Sequence, residues 1–175
     1  MMKVVVAVTG SIAAYKAVDL VRLFVKGGDD VSVMMTKAAC EFVRPLTFQT
    51  LSRNPVYVDE FAPPVEWKPG HVSLADAADM IVVAPATANT IAKIRFGIAD
   101  NFVTSTLLAT RAKIVVVPAM NTGMWENPVT QDNVAALKAR GATIVDPDTG
   151  ELACGATGKG RMMSPDAIYR ICKGA

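Results

Sequence analysis

The sequence has 175 residues, of which 51% are hydrophobic and 19% are charged. A chain of this length buries one sizeable core and is too short for two ordinary domains, so we expect one domain over residues 1–175. Basic residues outnumber acidic ones only 18 to 16, which argues against a nucleic-acid-binding surface. The apolar run at residues 4–8 is too short for a membrane span and lacks a signal-peptide cleavage pattern, so we expect a soluble, cytoplasmic protein.

Three cysteines and one histidine limit the metal and disulfide chemistry of the chain. Cys40, Cys154 and Cys172 form an odd set without a C-x-x-C pair, so the sequence supports neither a disulfide framework nor a metal site. Cys40 and Cys172 fall in apolar helical patterns and are predicted core residues. Cys154 therefore needs a separate explanation.

Apolar runs rich in valine and isoleucine alternate with segments of helical spacing. Strands buried on both faces of a parallel sheet have this composition, and the runs lie at residues 4–8, 31–35, 80–84, 114–117 and 143–145. Segments such as residues 12–26 and 128–140 show the helical spacing. The pattern predicts an α/β fold: a single-domain, doubly wound parallel sheet in a Rossmann- or flavodoxin-like three-layer sandwich. Ligands of such sheets bind at the carboxyl ends of the strands.

Two stretches lack either periodicity. Residues 54–70 contain four prolines and are predicted to form a loop. Residues 147–161 hold four glycines around Cys154, and this composition predicts a mobile segment that serves as a lid.

The segment Thr9-Gly10-Ser11-Ile12-Ala13-Ala14 lies where the first strand should turn into the first helix. Backbone N–H groups and the helix dipole at such a turn favour an anion, and phosphate is the natural ligand. Only one glycine of the dinucleotide pattern G-x-G-x-x-G is present, which points to a mononucleotide such as FMN. The alternative is that Ser11 merely caps the helix.

Small and hydroxyl-bearing residues follow two other predicted strands. Thr36-Lys37-Ala38 follows residues 31–35, and Pro85-Ala86-Thr87-Ala88-Asn89-Thr90 follows residues 80–84. Such residues let a flat ring approach the backbone and offer it hydrogen bonds. An ordinary helix cap explains either segment alone, but their recurrence at strand ends favours a binding site.

A fourth loop, residues 118–125, follows the strand at 114–117. Its Asn121 can donate and accept hydrogen bonds, and its methionines offer adaptable apolar walls, so it could hold a small polar substrate against a ring. A turn that caps a helix would also explain Asn121. His71 stands at an expected helix start, and a lone histidine is more often structural than catalytic. Lys159 and Arg161 would favour a Cys154 thiolate if they lie close to it.

Together these segments resemble the phosphopantothenoylcysteine decarboxylases, which are homo-oligomeric flavin-containing cysteine decarboxylases. The resemblance covers about residues 3–173 in the family's motif order. The segments that carry it are Gly10-Ser11-Ile12-Ala13-Ala14, His71, Ala84-Pro85-Ala86-Thr87-Ala88-Asn89-Thr90, Ala99-Asp100-Asn101, Pro118-Ala119-Met120-Asn121 and Ala153-Cys154-Gly155.

The resemblance implies an activity, a cofactor and a set of site residues. The activity is FMN-dependent decarboxylation of 4'-phosphopantothenoylcysteine to 4'-phosphopantetheine in coenzyme A biosynthesis, by a homo-oligomer built from trimers. His71, Asn121 and Cys154 would be catalytic, and Asn121 and Met124 would contact the substrate. FMN would be held by Gly10, Ser11, Ile12, Ala13, Thr36, Lys37, Ala38, Thr87, Ala88, Asn89, Thr90 and Ala119.

Three other functions compete with this interpretation. A peptidyl-cysteine decarboxylase would stop at the enethiol and would not need the Cys154 segment. Flavin prenyltransferases share the sheet and the glycine-serine loop but match residues 118–125 poorly. A non-catalytic flavoprotein subunit would not need His71, Asn121 and Cys154 together. The resemblance also leaves open whether the chain stands alone or corresponds to the N-terminal half of a bifunctional protein.

Overall fold

The computed structural model describes residues 1–61, 68–151, 155 and 157–174. Its main sheet has six parallel strands in the order β3-β2-β1-β4-β5-β6, which is the Rossmann order. The predicted doubly wound parallel sheet is therefore confirmed. The strands are β1 (Lys3–Val8), β2 (Asp30–Met35), β3 (Val56–Tyr57), β4 (Met80–Ala86), β5 (Lys113–Pro118) and β6 (Thr143–Ile144).

Helices cover both faces of this sheet and complete three layers. One face packs against α1 (Ala14–Lys26), α2 (Pro45–Ser52) and α8 (Pro165–Lys173). The other face packs against five helices: α3 (Gly70–Ala77), α4 (Ala88–Phe96), α5 (Phe102–Ala109), α6 (Thr122–Glu126) and α7 (Pro128–Ala139). No helix within the described ranges is long and apolar enough to cross a bilayer.

Strand β1 lies inside the sheet and has helices on both faces, so its sequence has to be a continuous apolar run. Successive side chains of a strand point to opposite faces, so Val4, Val6 and Val8 belong to the core under α1, whereas Val5 and Ala7 belong to the core under α5. All five are almost fully buried, and full burial of one such valine stabilises the fold by about 1.5–3 kcal/mol.

The two stretches without periodicity both contain strands. Residues 54–70 include the two-residue strand β3, and α3 begins at Gly70. Residues 147–161 include an antiparallel hairpin of β7 (Asp148–Glu151) and β8 (Thr157–Arg161). The expectation of irregular structure was therefore wrong for the described part of residues 147–161, whereas the described part of residues 54–70 is mostly loop, as predicted. β3 is too short to show a period, and the hairpin is too polar to show one.

Candidate functional site

The loops after β1 and β4 meet at the carboxyl edge of the sheet, where strand order reverses. Thr9, which is buried, donates a hydrogen bond from Oγ1 to the carbonyl oxygen of Pro85 at 2.7 Å. The same Oγ1 accepts a hydrogen bond from the backbone N–H of Thr87 at 3.1 Å. One hydroxyl therefore fixes the two loops relative to each other, and a cavity opens on each side of the β1–α1 loop.

The first cavity lies between the loops that follow β1, β2 and β4 and has a volume of approximately 500 Å³. This size falls in the range of small-molecule sites. Its walls bring together seven of the twelve residues predicted to hold the cofactor. These are Gly10, Thr36, Lys37, Ala38, Thr87, Asn89 and Thr90, and Met124 joins them.

Two threonines of the first cavity cap helices, which is the alternative explanation given for these segments in the sequence analysis. Thr36 Oγ1 accepts from the N–H of Ala39 at 3.2 Å and begins the 3₁₀ turn Lys37–Glu41. Thr87 Oγ1 accepts from the N–H of Thr90 at 3.2 Å and begins α4. The two explanations are compatible, because the caps bring hydroxyl groups and a helix N-terminus to the wall of one cavity. Such a wall favours an anionic group.

Acidic and aromatic residues, among them Glu60, Asp100 and Phe102, also line the first cavity and form what we call its rim. Lys93 Nζ lies 2.5 Å from Asp100 Oδ2, and Asn101 Nδ2 donates to Asp100 Oδ1 at 2.8 Å. The hydrogen bond from Lys93 is the largest cause that lowers the pKa of Asp100. Because this carboxylate is already paired with an ammonium group, its charge opposes a bound anion less than an unpaired carboxylate would.

His71 lies behind this rim rather than in the wall of the cavity. Its Nδ1 is 3.8 Å from Glu60 Oε1, and its ring stands edge-on to the ring of Phe102 at a centroid distance of 6.3 Å. The ring of Tyr57 stacks on that of Phe102 at a centroid distance of 5.1 Å. Glu60 and Phe102 do line the cavity, so the imidazole lies one side chain away from it.

The second cavity lies between α1, the β5–α6 loop and the hairpin, and its volume is approximately 570 Å³. It receives four further predicted cofactor residues, together with Asn121. These four are Ser11, Ile12, Ala13 and Ala119. Ala88, a described residue at the start of α4, lines neither of the two cavities.

Gly10 and Ser11 shape the partition between the cavities. A Cβ atom at Gly10 would lie 2.6 Å from the Cβ of Ala38, so only glycine lets the loops after β1 and β2 touch. Ser11 Oγ accepts from the N–H of Ala13 at 3.3 Å, but α1 itself begins at Ala14 with Ala13 as its N-cap residue and without a side-chain cap. Ser11 therefore stabilises a local turn and does not act as the cap of the helix.

The β5–α6 loop lines the second cavity, and the helix α6 that follows it reaches the first. Asn121 is the N-cap of α6, and its Oδ1 accepts from the N–H of Gly123 at 2.8 Å. This bond orients the carboxamide at the edge of the second cavity, whereas Met124, one turn further on, lines the first. The structure thus separates the two residues predicted to contact the substrate.

The β7–β8 hairpin is packed against the β5–α6 loop through glycines. The N–H of Met120 donates to the carbonyl oxygen of Gly160 at 3.0 Å. A Cβ at Gly160 would lie 2.3 Å from Met120 O, and one at Gly158 would lie 2.3 Å from Thr122 Oγ1. The hairpin base therefore borders the second cavity. Cys154, the third predicted catalytic residue, lies outside the described residues.

Gly160→Ala is expected to loosen this packing. Gly160 has φ +150°, and its Cβ would collide with backbone rather than with a flexible side chain, so we expect a loss of roughly 1–3 kcal/mol in the free energy of unfolding. Hydrogen exchange of the Met120 amide should also accelerate. Gly141→Ala is the matched control, because Gly141 has φ +93° but no atom within 4 Å of its Cβ position. Equal Met120 exchange in both variants would contradict the packing role.

Several site residues were missed by the sequence analysis. Thr9 was considered only as part of the glycine loop. Its hydrogen-bond partners lie at the end of β4, and their proximity depends on the strand order, which the sequence analysis did not predict. Lys16 and Arg161 line the second cavity, although Arg161 was noted only as a neighbour of Cys154 in sequence. Lys159 instead lies over the ring of Trp125, 5.9 Å from its centroid. Helical spacing would have placed Lys16 in the first turn of α1. That its side chain points toward the hairpin could be seen only in the fold.

Comparison with known sequences gives the family. A sequence model described as Flavoprotein matches residues 1–174. The chain belongs to the Flavoprotein family. A probable phosphopantothenoylcysteine decarboxylase of Streptococcus mutans is 46% identical over 170 residues, which cover 96% of this chain and 95% of that protein. The predicted resemblance to this group is therefore confirmed, and a flavin is the cofactor type of the family.

Longer relatives also match. The coenzyme A biosynthesis bifunctional protein CoaBC of Bacillus subtilis is 45% identical over 170 residues, which cover 97% of this chain but 42% of that protein. The chain thus spans less than half the length of the bifunctional relatives that it matches.

Solved structures agree with the fold. A cysteine-to-serine mutant of a phosphopantothenoylcysteine decarboxylase, complexed with pantothenoylaminoethenethiol, superposes with a TM-score of 0.89 at 32% identity and covers 98% of this chain and 96% of its own. The FMN-binding protein AtHal3 superposes with a TM-score of 0.85 at 32% identity, covering 98% of this chain and 95% of its own.

Proposed function

We propose that the chain decarboxylates 4'-phosphopantothenoylcysteine to 4'-phosphopantetheine, with FMN as cofactor, in coenzyme A biosynthesis. The observation that carries the proposal is the position of Asn121, which a cap bond orients at a cavity beside the β1–α1 loop. This arrangement occurs in a chain 46% identical to a probable decarboxylase of that substrate over nearly the whole length of both.

The residues of the two cavities fit FMN. The first cavity offers the hydroxyls of Thr36, Thr87 and Thr90 and the N-terminus of α4 to a phosphate. The β1–α1 loop lies between the cavities and presents the small residues Ser11 and Ala13 toward a flat ring. A mononucleotide has one phosphate and needs only one such anion site, which favours FMN over FAD or NAD.

The protein residues divide the reaction between them. When bound, FMN supplies reversible redox chemistry at the thiol end of the substrate. Asn121 holds the carboxylate that leaves as CO2, and His71 acts as a base or orients the reacting group in the steps before that loss. Cys154 donates the proton that converts the decarboxylated enethiol toward the product. The net change is replacement of a carboxylate by a proton, without net oxidation.

The test has two measurements. Mass spectrometry of the cofactor released from the purified protein should give FMN, and incubation with phosphopantothenoylcysteine should release CO2 and form phosphopantetheine in equal amounts. FAD in place of FMN, or a flavin-loaded protein without turnover, would contradict the proposal. Accumulation of the enethiol in the wild-type protein would instead favour an oxidative decarboxylase.

Thr87→Val is expected to weaken cofactor retention. The variant keeps the shape of the side chain but loses the cap of α4 and one hydroxyl of the first cavity, so we expect about 1 kcal/mol lower stability and several-fold less FMN after dialysis. Ser164→Ala is the matched control, because Ser164 caps α8 through the N–H of Ala167 and lies in neither cavity. Equal FMN loss in both variants would show that helix stability alone governs retention.

We propose further that the active unit is a homo-oligomer built from trimers. Phe96, Ile98 and Leu108 expose 66%, 48% and 61% of their surface. The first two flank Gly97, whose Cβ position lies 3.8 Å from Leu108, so another copy of the chain could bury all three together. We expect Leu108→Lys to give a monomer in light scattering. Val129→Lys, at a residue on α7 that is 67% exposed, should leave the assembly intact. A fully active wild-type monomer would refute the proposal.

Residues 1–175 are proposed to act in the cytoplasm and to form one domain. The proposal of one domain is supported by the two described cores, which pack on opposite faces of one sheet. A single cooperative unfolding transition by two different probes would agree with this, whereas two separated transitions would not.

A further inference from the structure

The first cavity carries carboxylates in its wall, although it is proposed to hold an anionic cofactor. Asp59, Glu60 and Asp100 all line it. Two of these carboxylates are already engaged, since Asp100 is paired with Lys93 and Asp59 Oδ1 accepts a hydrogen bond from the backbone N–H of Phe61 at 3.0 Å. The charge of Glu60, which would oppose a bound anion, therefore requires an explanation of its own.

Glu60 forms an ion pair with His71. Its Oε1 lies 3.8 Å from His71 Nδ1, which is beyond hydrogen-bond distance but close enough for a carboxylate to attract an imidazolium. Only 21% of the Glu60 side chain and 25% of the His71 side chain is exposed, so solvent screens the pair less than it would a surface pair. Catalytic hydrogen bonds are often long before the substrate binds, and they shorten in the complex.

The packing around His71 holds the plane of its imidazole ring. The ring stands edge-on to that of Phe102, with 88° between the two planes. Phe102 is buried and stacks on Tyr57, and the Cβ position of Gly70 lies 3.4 Å from the ring of Phe102. The residue before His71 and its own ring thus pack on one buried side chain. With Nδ1 toward Glu60, Nε2 at the opposite edge of the ring is the nitrogen left for the substrate.

The position of His71 in α3 explains why a carboxylate is needed beside it. His71 is the second residue of that helix, and a helix N-terminus disfavours a positive charge. An imidazole that takes up a proton there becomes a cation. The first turn of α3 contains no acidic residue, so the compensating negative charge comes from Glu60 in the loop after β3.

We propose that Glu60 is the positioning residue of His71. The inference rests on the proposed function, in which His71 serves the steps before CO2 is lost. The carboxylate of Glu60 holds the proton of the neutral imidazole on Nδ1, which leaves the lone pair of Nε2 free to act as a base. The substrate S–H bond then breaks and an N–H bond forms at Nε2. The carboxylate stays ionised and stabilises the imidazolium, and the proton returns to the sulfur in the product.

The first measurement is the tautomer of His71. The chain contains one histidine, so 15N labelling of histidine reports on this ring alone. At a pH where the ring is neutral, the 15N shifts of the flavin-loaded wild type should show Nδ1–H as the major form. Glu60→Gln, whose amide can pair with either tautomer, should move the ring toward the Nε2–H form. Glu60→Asp keeps the charge and should keep Nδ1–H as the major form.

The second measurement is the kinetics of CO2 release from phosphopantothenoylcysteine. Glu60→Gln should lower kcat about 10- to 100-fold, which is less than the factor of about 100 to 10,000 that a general base contributes, and should change KM less than about twofold. In a His71→Asn background the same substitution should lower kcat by less than a further factor of about two, because Glu60 acts through His71.

Glu41→Gln is the matched control, because Glu41 is an exposed glutamate at the end of the 3₁₀ turn Lys37–Glu41 and lines neither cavity. It should leave the tautomer and kcat unchanged. A wild-type ring with Nε2–H as the major form, or an unchanged tautomer in Glu60→Gln, would overturn the inference. So would an equal loss of kcat with and without His71. Absence of wild-type turnover would instead refute the proposed function, and the tautomer would still decide whether Glu60 positions His71.

Discussion

Asn121→Asp is expected to lower kcat/KM for phosphopantothenoylcysteine by roughly 100-fold or more. The substitution removes an N–H donor from the group proposed to hold the substrate carboxylate and places a like charge beside it, and both effects act against binding of the anion. The fold should not suffer, because aspartate caps helices as well as asparagine does. The bond from the N–H of Gly123 to Oδ1 can therefore persist.

Asn127→Asp provides a control of the same geometry. Asn127 is the N-cap of α7, and its Oδ1 accepts from the N–H of Val129 at 2.9 Å, much as Asn121 accepts from Gly123 at 2.8 Å. We expect this variant to keep kcat/KM within about twofold of the wild type and to melt at the same temperature as Asn121→Asp. A similar loss of activity in both variants would mean that the charge acts at long range and that Asn121 does not contact the carboxylate.

The central sheet could be predicted because strands that are buried on both faces appear in the sequence as continuous apolar runs. Residues 4–8, 31–35 and 80–84 are continuous apolar runs, since each side chain meets a helix on one face or the other. These runs would fit several strand orders equally well, so the order β3-β2-β1-β4-β5-β6 became known only from the fold.

The hairpin could not be predicted for the opposite reason. β7 reads Asp-Thr-Gly-Glu and β8 reads Thr-Gly-Lys-Gly-Arg, so neither strand alternates apolar and polar residues. Its position depends on contacts between distant parts of the chain, namely Gly158 and Gly160 against the β5–α6 loop. A sequence pattern cannot contain such contacts, and the same holds for the approach of Arg161 to Lys16.

The division of the site into two cavities also depends on the fold. The predicted cofactor residues follow four different strands, and their common location at one edge of the sheet was expected from the parallel arrangement. Which of them share a cavity depends on the path of the β1–α1 loop, whose contact with Ala38 requires glycine at position 10. Thus Asn121 and Met124, three residues apart, line different cavities.

The proposed reaction has two halves, and variants of the catalytic residues should separate them. A general acid typically contributes a factor of about 100 to 10,000. If Cys154 only donates a proton after CO2 has left, Cys154→Ser should release CO2 while phosphopantetheine falls at least about 100-fold relative to that CO2. His71→Asn, which affects the earlier steps, should lower CO2 and phosphopantetheine together.

Single-turnover measurements of CO2 and of the thiol products by mass spectrometry distinguish these failures. Cys172→Ala is the control, because Cys172 is buried in α8 and burial raises the pKa of its thiol to about 11, which makes it an inert cysteine. Its ratio of phosphopantetheine to CO2 should equal that of the wild type. If Cys154→Ser formed phosphopantetheine at the wild-type rate, Cys154 would have no part in proton transfer, and the acid of the second half-reaction would have to be another group.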